Sequence, residues 1–385
     1  MAEQLTIAII GCGGMAEAHR RAYQMLWQSG YKSFRITATC DLEIERANAM
    51  ADRVAEFQGV RPNAYGDIDK MLAAEKELMA ADICAPHNEH HVLAIACFEA
   101  GLHVTIEKPL AITLRAGRKM LEAAKSRGCL LQVAENYRRT PTQRAINWAL
   151  KMGWIGEPRM FLWVDTFERL WYWGWREHKE IAGGGWTLDG GVHFADLMRY
   201  HIGEVDEIFA VSRTFLPVRY MEPETRSKPV EISVEDTTMA LVKFNNGVLG
   251  QWVLTSAAPG KGYNMRVIYG QEGCIDFQDG FYGRTTHEPI NELVNKFMES
   301  ITDEERERLF PMGITDSVAI ELHEFIEGVL NRKPIETDGN EGYKSQAICM
   351  AVYESALLNA PVKVEAVARG EIEGYQAELN RQLGL

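Results

Sequence analysis

The chain lacks three things that would each have placed it in a different class. It has no C-x-x-C pair: its seven cysteines, Cys12, Cys40, Cys84, Cys97, Cys129, Cys274 and Cys349, are scattered and odd in number. That pattern argues against a disulfide framework and a zinc knuckle and for free thiols in a reducing compartment. It has no apolar run near the roughly 20 residues that span a bilayer, so no membrane partner is expected. It has no excess of basic charge. With 41 Lys and Arg against 54 Asp and Glu, the net charge is -13, and no nucleic-acid partner is expected, because neutralising phosphates takes clustered cations. Repeats and low-complexity segments are also missing. The start carries Glu3 in place of a basic segment, and Thr6 to Ile10 is too short for the core of a secretion signal, so a cytoplasmic protein is expected.

What is present is ordinary globular composition, 46% hydrophobic and 25% charged over 385 residues, enough chain for two domains. The first third alternates short β-rich runs with helical stretches. Strands are expected at Leu5–Ile10, Phe34–Cys40, Asp82–Ala85, His103–Glu107 and Leu130–Ala134. Helices are expected at Ala16–Gln28, Ile44–Glu56, Val92–Ala100 and Leu114–Arg127. That rhythm implies βαβ units and a parallel sheet. After Pro141 it changes. Helices at Thr142–Met152 and Trp186–Tyr200 are interleaved with longer strands, and Asn245-Asn246-Gly247 between two β runs signals a hairpin. An α+β domain with a large open, mostly antiparallel sheet is expected there. Helices follow at Ser317–Leu330 and Gly342–Leu358. Residues 279–313 are polar and read as an irregular insertion or lid. The expected division is 1–135, a dinucleotide-binding domain, and 136–385, a substrate-binding and oligomerisation domain.

Two stretches carry the chemistry. The first is Gly11-Cys12-Gly13-Gly14-Met15-Ala16, directly after the first strand. Gly11 permits a tight turn, Gly13 a close backbone approach to a pyrophosphate, and Ala16 close packing of helix on strand. The helix that opens there aims its N–H groups and positive dipole end at phosphate. Asp41 follows the second strand. A carboxylate there binds the adenosine ribose hydroxyls and repels a 2′-phosphate, which favours NAD over NADP. An Asp capping the next helix gives the same sequence.

The second stretch is Gly183-Gly184-Gly185-Trp186-Thr187-Leu188-Asp189-Gly190-Gly191-Val192-His193. It puts a carboxylate and an imidazole four residues apart, on one face of a helix. An imidazole can take a hydroxyl proton as hydride leaves, and a carboxylate can orient it. A surface i,i+4 pair shares this spacing, but five flanking glycines are costly in a helix unless something must approach closely.

Three further segments belong near these. Pro86-His87-Asn88-Glu89-His90-His91 follows a buried strand, where ligands of parallel sheets bind. Its histidines have no cysteine or carboxylate at zinc-finger spacing, and no metal is expected. Glu107-Lys108-Pro109 ends another strand. A lysine there can hold positive charge near a developing alkoxide, and the proline fixes the turn. Arg169 to Arg176 is unusually aromatic, with Trp171, Tyr172, Trp173 and Trp175. Such rings stack on pyranose faces and the arginine can grip an anion; an aromatic core cluster reads the same way.

Together these motifs resemble the Gfo/Idh/MocA family. The resemblance runs from Thr6 to about Val364 through the glycine loop, Cys40-Asp41, Pro86-x-x-x-His90, Gly101-Leu102-His103-Val104, Glu107-Lys108-Pro109, Asn136-x-Arg138, Trp175-Arg176, Gly183 to His193, Asp196 and Tyr353-Glu354-Ser355-Ala356. It implies a Rossmann domain joined to an α/β domain, an NAD(P) cofactor, a sugar or cyclitol substrate, and a homo-oligomer, dimer or tetramer. Lys108 matches the family's catalytic lysine, Asp189 its helical aspartate, His193 its proton acceptor and Glu107 a residue near the nicotinamide ribose. His87 departs from the asparagine usual after the proline. The expected cofactor set is Gly11 to Ala16, Asp41, Pro86, His87, His90, Glu107, Lys108 and Asn136. The expected substrate set is Lys108, Trp171, Trp175, Arg176, Asp189 and His193. The leading expectation is an NAD-dependent dehydrogenase. A glycosidase that oxidises transiently, eliminates and re-reduces, and a non-catalytic nucleotide-binding subunit, stay open.

Overall fold

The computed structural model describes residues 4–385; Glu3, on which the reading of the N-terminus leaned, lies outside them. The chain forms two compact units. One comprises the N-terminal stretch through Ala111 with Ala116–Arg139 and Glu304–Tyr343; the other comprises Ile112–Arg115, Thr140–Asp303 and Lys344–Leu385.

The first unit is built on six parallel strands, β1 (Leu5–Ile10), β2 (Phe34–Cys40), β3 (Asn63–Tyr65), β4 (Ala80–Ile83), β5 (His103–Glu107) and β6 (Leu131–Ala134), in the order β3-β2-β1-β4-β5-β6. β4 and β6 are buried at every residue, Asp82 and Gln132 included, as expected of a parallel sheet whose two faces are both covered. Helix α1 (Gly14–Gln28) follows β1, and α2 (Ile44–Gln58) follows β2. The strand order reverses between β1 and β4, and ligands of such sheets bind beyond the strand ends at that switch point. β3 was not anticipated, being three residues long with little apolar character. The helix Ser317–Asn331, expected from its own periodicity, returns to this unit. Tyr31, just past α1, lies 4.6 Å from His323 with the rings tilted and donates to Glu327 at 2.7 Å.

The second unit holds a nine-stranded mixed sheet, ordered β16-β15-β14-β13-β7-β12-β11-β8-β17. Its strands are β7 (Pro158–Thr166), β8 (Val205–Arg213), β11 (Thr237–Phe244), β12 (Leu249–Thr255), β13 (Tyr263–Gly270), β14 (Gly273–Asp276), β15 (Gly280–Gly283), β16 (His287–Pro289) and β17 (Val362–Lys363); a separate hairpin pairs β9 (Val218–Glu222) with β10 (Ser227–Glu231). All pairings in the large sheet are antiparallel except β7 with β12. The Asn246-Gly247 turn does join β11 to β12 as a hairpin. One sheet face carries the core: Trp163 and Trp252 are fully buried, and Phe194 of the helix Gly191–His201 lies 4.5 Å from Trp163.

Residues 279–313 are not an irregular insertion. They supply β15, β16 and the helix Ile290–Ser300, whose buried Leu293 and Phe297 face inward. Phe297 packs 6.2 Å from Trp148. The strands are too short, at four and three residues, to show a period in sequence. Among the described residues no helix is long and apolar enough to cross a membrane.

Candidate active site

The glycine loop has the conformation its sequence requires. Gly11 sits at φ +82°, and a Cβ there would lie 2.7 Å from the Ala85 nitrogen, so the turn after β1 presses directly on the turn after β4. Only glycine satisfies both the backbone angle and the contact. At Gly13 and Gly14 the opposite holds: an added Cβ would meet nothing within 4 Å. Gly13 caps α1 with no side-chain acceptor, so the first N–H groups of a 15-residue helix open onto that space. Free amides, a positive dipole end and glycines without side chains fit a pyrophosphate. Cys12 and Ala16 are buried and Met15 is half-buried. Burial, then Asp41, pushes the Cys12 thiol up to about 12, so it stays protonated.

Asp41 does two jobs at the end of β2. Its Oδ2 accepts from the Cys12 amide at 2.8 Å and its Oδ1 accepts from the Glu43 amide at 2.9 Å. It ties the glycine loop to the second strand and shapes the entry to α2. Each oxygen keeps accepting capacity for a ribose hydroxyl, so the carboxylate fits an adenosine ribose as well as a capping role.

The ends of β4, β5 and β6 place the remaining first-unit residues. Pro86 opens a short 3-10 turn, His87–Glu89, and His87 is buried. His90 was expected to contact the cofactor. It is wholly buried, with Nδ1 2.9 Å from the Pro109 carbonyl and Nε2 3.0 Å from that of Ala85. Both ring nitrogens face backbone, so His90 holds the turn after β4 against the turn after β5. Burial lowers its pKa, in keeping with that apolar setting. The Lys108–Pro109 peptide is cis. Glu107 is buried, Lys108 is half-buried, and Glu107 Oε2 accepts from the Lys108 amide at 3.2 Å. Asn136 donates to Ser317 at 3.2 Å.

In the second unit, Asp189 and His193 lie on consecutive short helices, Trp186–Asp189 and Gly191–His201. Both are buried, at 3% and 8% exposure, so they are not a solvated surface pair. What approaches the flanking glycines is the protein itself. A Cβ on Gly184 would fall 2.3 Å from the Tyr353 hydroxyl, and one on Gly185 would fall 2.3 Å from the Glu235 carbonyl. Glu235 in turn caps the helix that carries Asp189. Its carboxylate accepts from the Gly185 amide at 2.8 Å, the Thr187 amide at 3.1 Å and the Tyr353 hydroxyl at 2.9 Å. Burial pushes its pKa up, against those three donors, which lower it.

The aromatic loop is organised by arginines. Arg169 lies 4.9 Å over Trp173 and 5.5 Å over the half-exposed Trp171, and Arg176 lies 4.3 Å over Trp175 and 4.9 Å over Trp173. Arg169 is anchored below by Glu177 at 3.1 Å, and Arg176 reaches Asp189 at 3.5 Å. The loop and the carboxylate therefore belong to one cluster. Beside it Trp186, 5.8 Å from Trp173, lines a cavity of about 330 Å³ with Asp165, Thr166, Phe167, Phe194, Asn264 and Arg266. Aromatic faces mixed with a few fixed polar groups suit a polyhydroxylated ring.

Glu235, Tyr353 as its partner, Arg266 and Trp186 were not read from sequence as parts of this site. Tyr353 stood in a motif, but nothing local marked Glu235, which meets it across 118 positions.

Residues 5–135 match a model described as an oxidoreductase family with an NAD-binding Rossmann fold, and residues 149–364 match the C-terminal α/β domain of the same family. The chain is 28% identical to levoglucosan dehydrogenase of Pseudarthrobacter phenanthrenivorans, over 95% of this chain and 100% of that one. It is 26% identical to myo-inositol 2-dehydrogenase of Thermotoga maritima, over 94% and 99%. A solved levoglucosan dehydrogenase in complex with NADH and levoglucosan superposes with a TM-score of 0.75 at 26% identity, covering 94% of this chain and all of that one, 100%. With an NAD-binding Rossmann unit, the family's second domain and both matches end to end, the chain belongs to the Gfo/Idh/MocA family of oxidoreductases.

Proposed function

We propose that this oxidoreductase oxidises a ring hydroxyl of a sugar, sugar derivative or cyclitol, with NAD favoured over NADP. The observation that carries the reading is the buried pair Asp189 and His193, with Asp189 joined through Arg176 to an aromatic loop beside a cavity of aromatic faces and a few polar groups. Relatives named for the oxidation of levoglucosan and inositol support the same substrate class. When bound, NAD supplies the hydride acceptor at nicotinamide C4. His193 takes the hydroxyl proton as the C–H bond breaks. Lys108 holds a cation against the developing alkoxide. Asp189, held by Arg176, orients the imidazole or binds a neighbouring hydroxyl. Gly11 to Ala16 and Asp41 hold the dinucleotide, with Pro86, His87, Glu107 and Asn136 around its nicotinamide end. Trp171, Trp175 and Arg176 select the ring. The deciding measurement is a panel of sugars and cyclitols with NAD: NADH should accumulate in step with ketone. Release of an aglycone from a chromogenic glycoside, with no NADH accumulating, would replace this reading with the redox-neutral glycosidase. No turnover alongside tight NAD binding would leave a sensor or subunit.

The protein is also proposed to be a homo-oligomer, formed through the sheet face opposite the core helices. On that face Val211, Met239 and Met265 share one register row, and Phe209 and Leu241 the next. Met239 is 51% exposed and Leu241 61%. A contiguous apolar surface over several strands marks a protein interface, and a second copy offers the same flat face for a two-fold contact. Light scattering should give a dimer or tetramer, and Leu241→Glu should lower the mass to the monomer. Seven cysteines with no disulfide between them support a cytoplasmic setting.

A further inference from the structure

A group of ionisable side chains lies buried in the first unit, and two of them, His19 and Asp82, have no role assigned above. His19 of α1 is fully buried, 0% exposed. Its Nδ1 lies 2.9 and 3.0 Å from the two oxygens of Asp82 on β4, and its Nε2 lies 2.9 Å from Glu107 Oε1 at the end of β5. Asp82 is also 0% exposed and Glu107 is 6%. The proton count is constrained by chemistry alone. A neutral imidazole has one donor and one acceptor, whereas two carboxylates offer only acceptors. Two close contacts are satisfied together only if both ring nitrogens carry protons or if one carboxyl is itself protonated. Buried ionised groups persist when paired and hydrogen-bonded, and here the cation would stand between two anions.

The contact does not end at Glu107. Its other oxygen, Oε2, accepts from the backbone amide of Lys108 at 3.2 Å. A chain of contacts thus runs from Asp82 through His19 and Glu107 to the Lys108 peptide. It lies at the carboxyl ends of β4 and β5, where a parallel sheet of this order receives its ligand.

We propose that His19 is a positioning residue: a doubly protonated imidazole clamped between Asp82 and Glu107 that fixes the Glu107 carboxylate and, through it, the backbone from which Lys108 projects. This rests on the reading of Lys108 as the group that meets the reacting hydroxyl. Burial works against charge on His19, but the Asp82 carboxylate outweighs it and holds the imidazole pKa well above its ordinary value. A side chain held this way loses little freedom when substrate binds, which is how a residue that touches no reacting atom affects rate.

The test begins with the unmodified protein, ¹⁵N-labelled at histidine, with the His19 signal assigned by its loss in His19→Gln. At neutral pH both His19 ring nitrogens should be protonated; a neutral single tautomer would overturn the clamp. In His19→Gln the amide can donate to one carboxylate only and turns its oxygen on the other. That variant should lose about 10- to 100-fold in kcat with a smaller change in KM for the sugar, and NAD⁺ and NADH affinities measured by titration should shift by less than kcat. Adding Asp82→Asn gives the glutamine oxygen a donor and returns its nitrogen to Glu107, and should recover most of kcat. A His19→Gln variant that folds and keeps kcat within about twofold removes the positioning role, since misplacement on this scale costs far more. If His19→Gln does not fold, the His19 signal is assigned in the native protein from through-bond and through-space connectivities to its neighbours on α1, and the ¹⁵N result still decides. Failure of the Lys108 reading is separable: Lys108→Ala would then keep its activity whatever His19 does.

Discussion

Arg176 lies 3.5 Å from Asp189 while its guanidinium covers the faces of Trp173 and Trp175. One side chain therefore joins the aromatic loop to the buried carboxylate. A planar cation that stacks and pairs at once is not replaceable by an ammonium. Arg176→Lys should behave like Arg176→Met, raising KM and lowering kcat, each by about tenfold, the scale of one charge-assisted contact. Near-native kinetics in the lysine variant would reduce the role to simple charge.

Lys108→Ala and His193→Ala should each lower turnover by about 10²- to 10⁴-fold, with NAD binding by calorimetry largely intact. Asp189→Asn should cost less if Asp189 mainly orients a partner. Good activity in His193→Gln with an unchanged pH profile would remove His193 from the mechanism.

Asp41 should set the cofactor preference. Asp41→Ser with an arginine introduced beside it should narrow or reverse the NAD over NADP ratio of kcat/KM. The same change leaves one shorter hydroxyl in place of the two oxygens that accept from the Cys12 and Glu43 amides, so melting temperature should fall modestly. Tighter NADP than NAD binding by the unmodified protein would contradict this prediction.

The cap on the helix Trp186–Asp189 should be measurable as stability. Tyr353→Phe removes one donor to Glu235 and should cost about 1 kcal/mol. Glu235→Ala leaves the Gly185 and Thr187 amides without their acceptor and should cost more, about 2–3 kcal/mol. Thermal unfolding reports both, and equal losses would mean that the carboxylate adds nothing beyond the tyrosine.

His19 predicts a pH dependence of stability. Its folded-state pKa is raised above the ordinary value, against burial and chiefly by Asp82. The proton is thus bound more tightly in the folded state. Its contribution is fully present below the ordinary imidazole range and is lost as pH rises through the folded value. Groups facing His19 are Tyr23 on its own helix, Asp82 from β4, Cys84 just past β4, Glu107 from β5, and Glu321 from Ser317–Asn331. Burial first, then Asp82, raises Tyr23 and Cys84, so both stay neutral over the lower part of the window. Burial raises Glu321 as well, opposed by Arg139 and His19. Denaturant midpoints from about pH 6 to about pH 10 should fall for the unmodified protein and stay flatter in His19→Gln. Parallel curves would show that His19 carries no extra proton.

Much of this molecule was legible in its chain because the signals are local. Strand–helix alternation, the Gly11–Ala16 turn, Asp41 one residue past β2, and Asp189 four residues before His193 are all set by neighbours within a few positions. Backbone sterics and helical periodicity act at that range, so sequence alone determined the Rossmann unit and the hairpin at Asn246-Gly247. The tertiary structure decided what depends on distant partners. It brought His19 to Asp82 and Glu107 across 63 and 88 positions, set Glu235 beneath Gly185, returned Glu304–Tyr343 to the first unit, and turned His90 onto the carbonyls of Ala85 and Pro109. It also gave residues 279–313 their strands, which take shape only beside β14. Such contacts leave no period and no spacing in the chain, because their energy comes from burial and hydrogen bonds that exist only once the sheets have assembled.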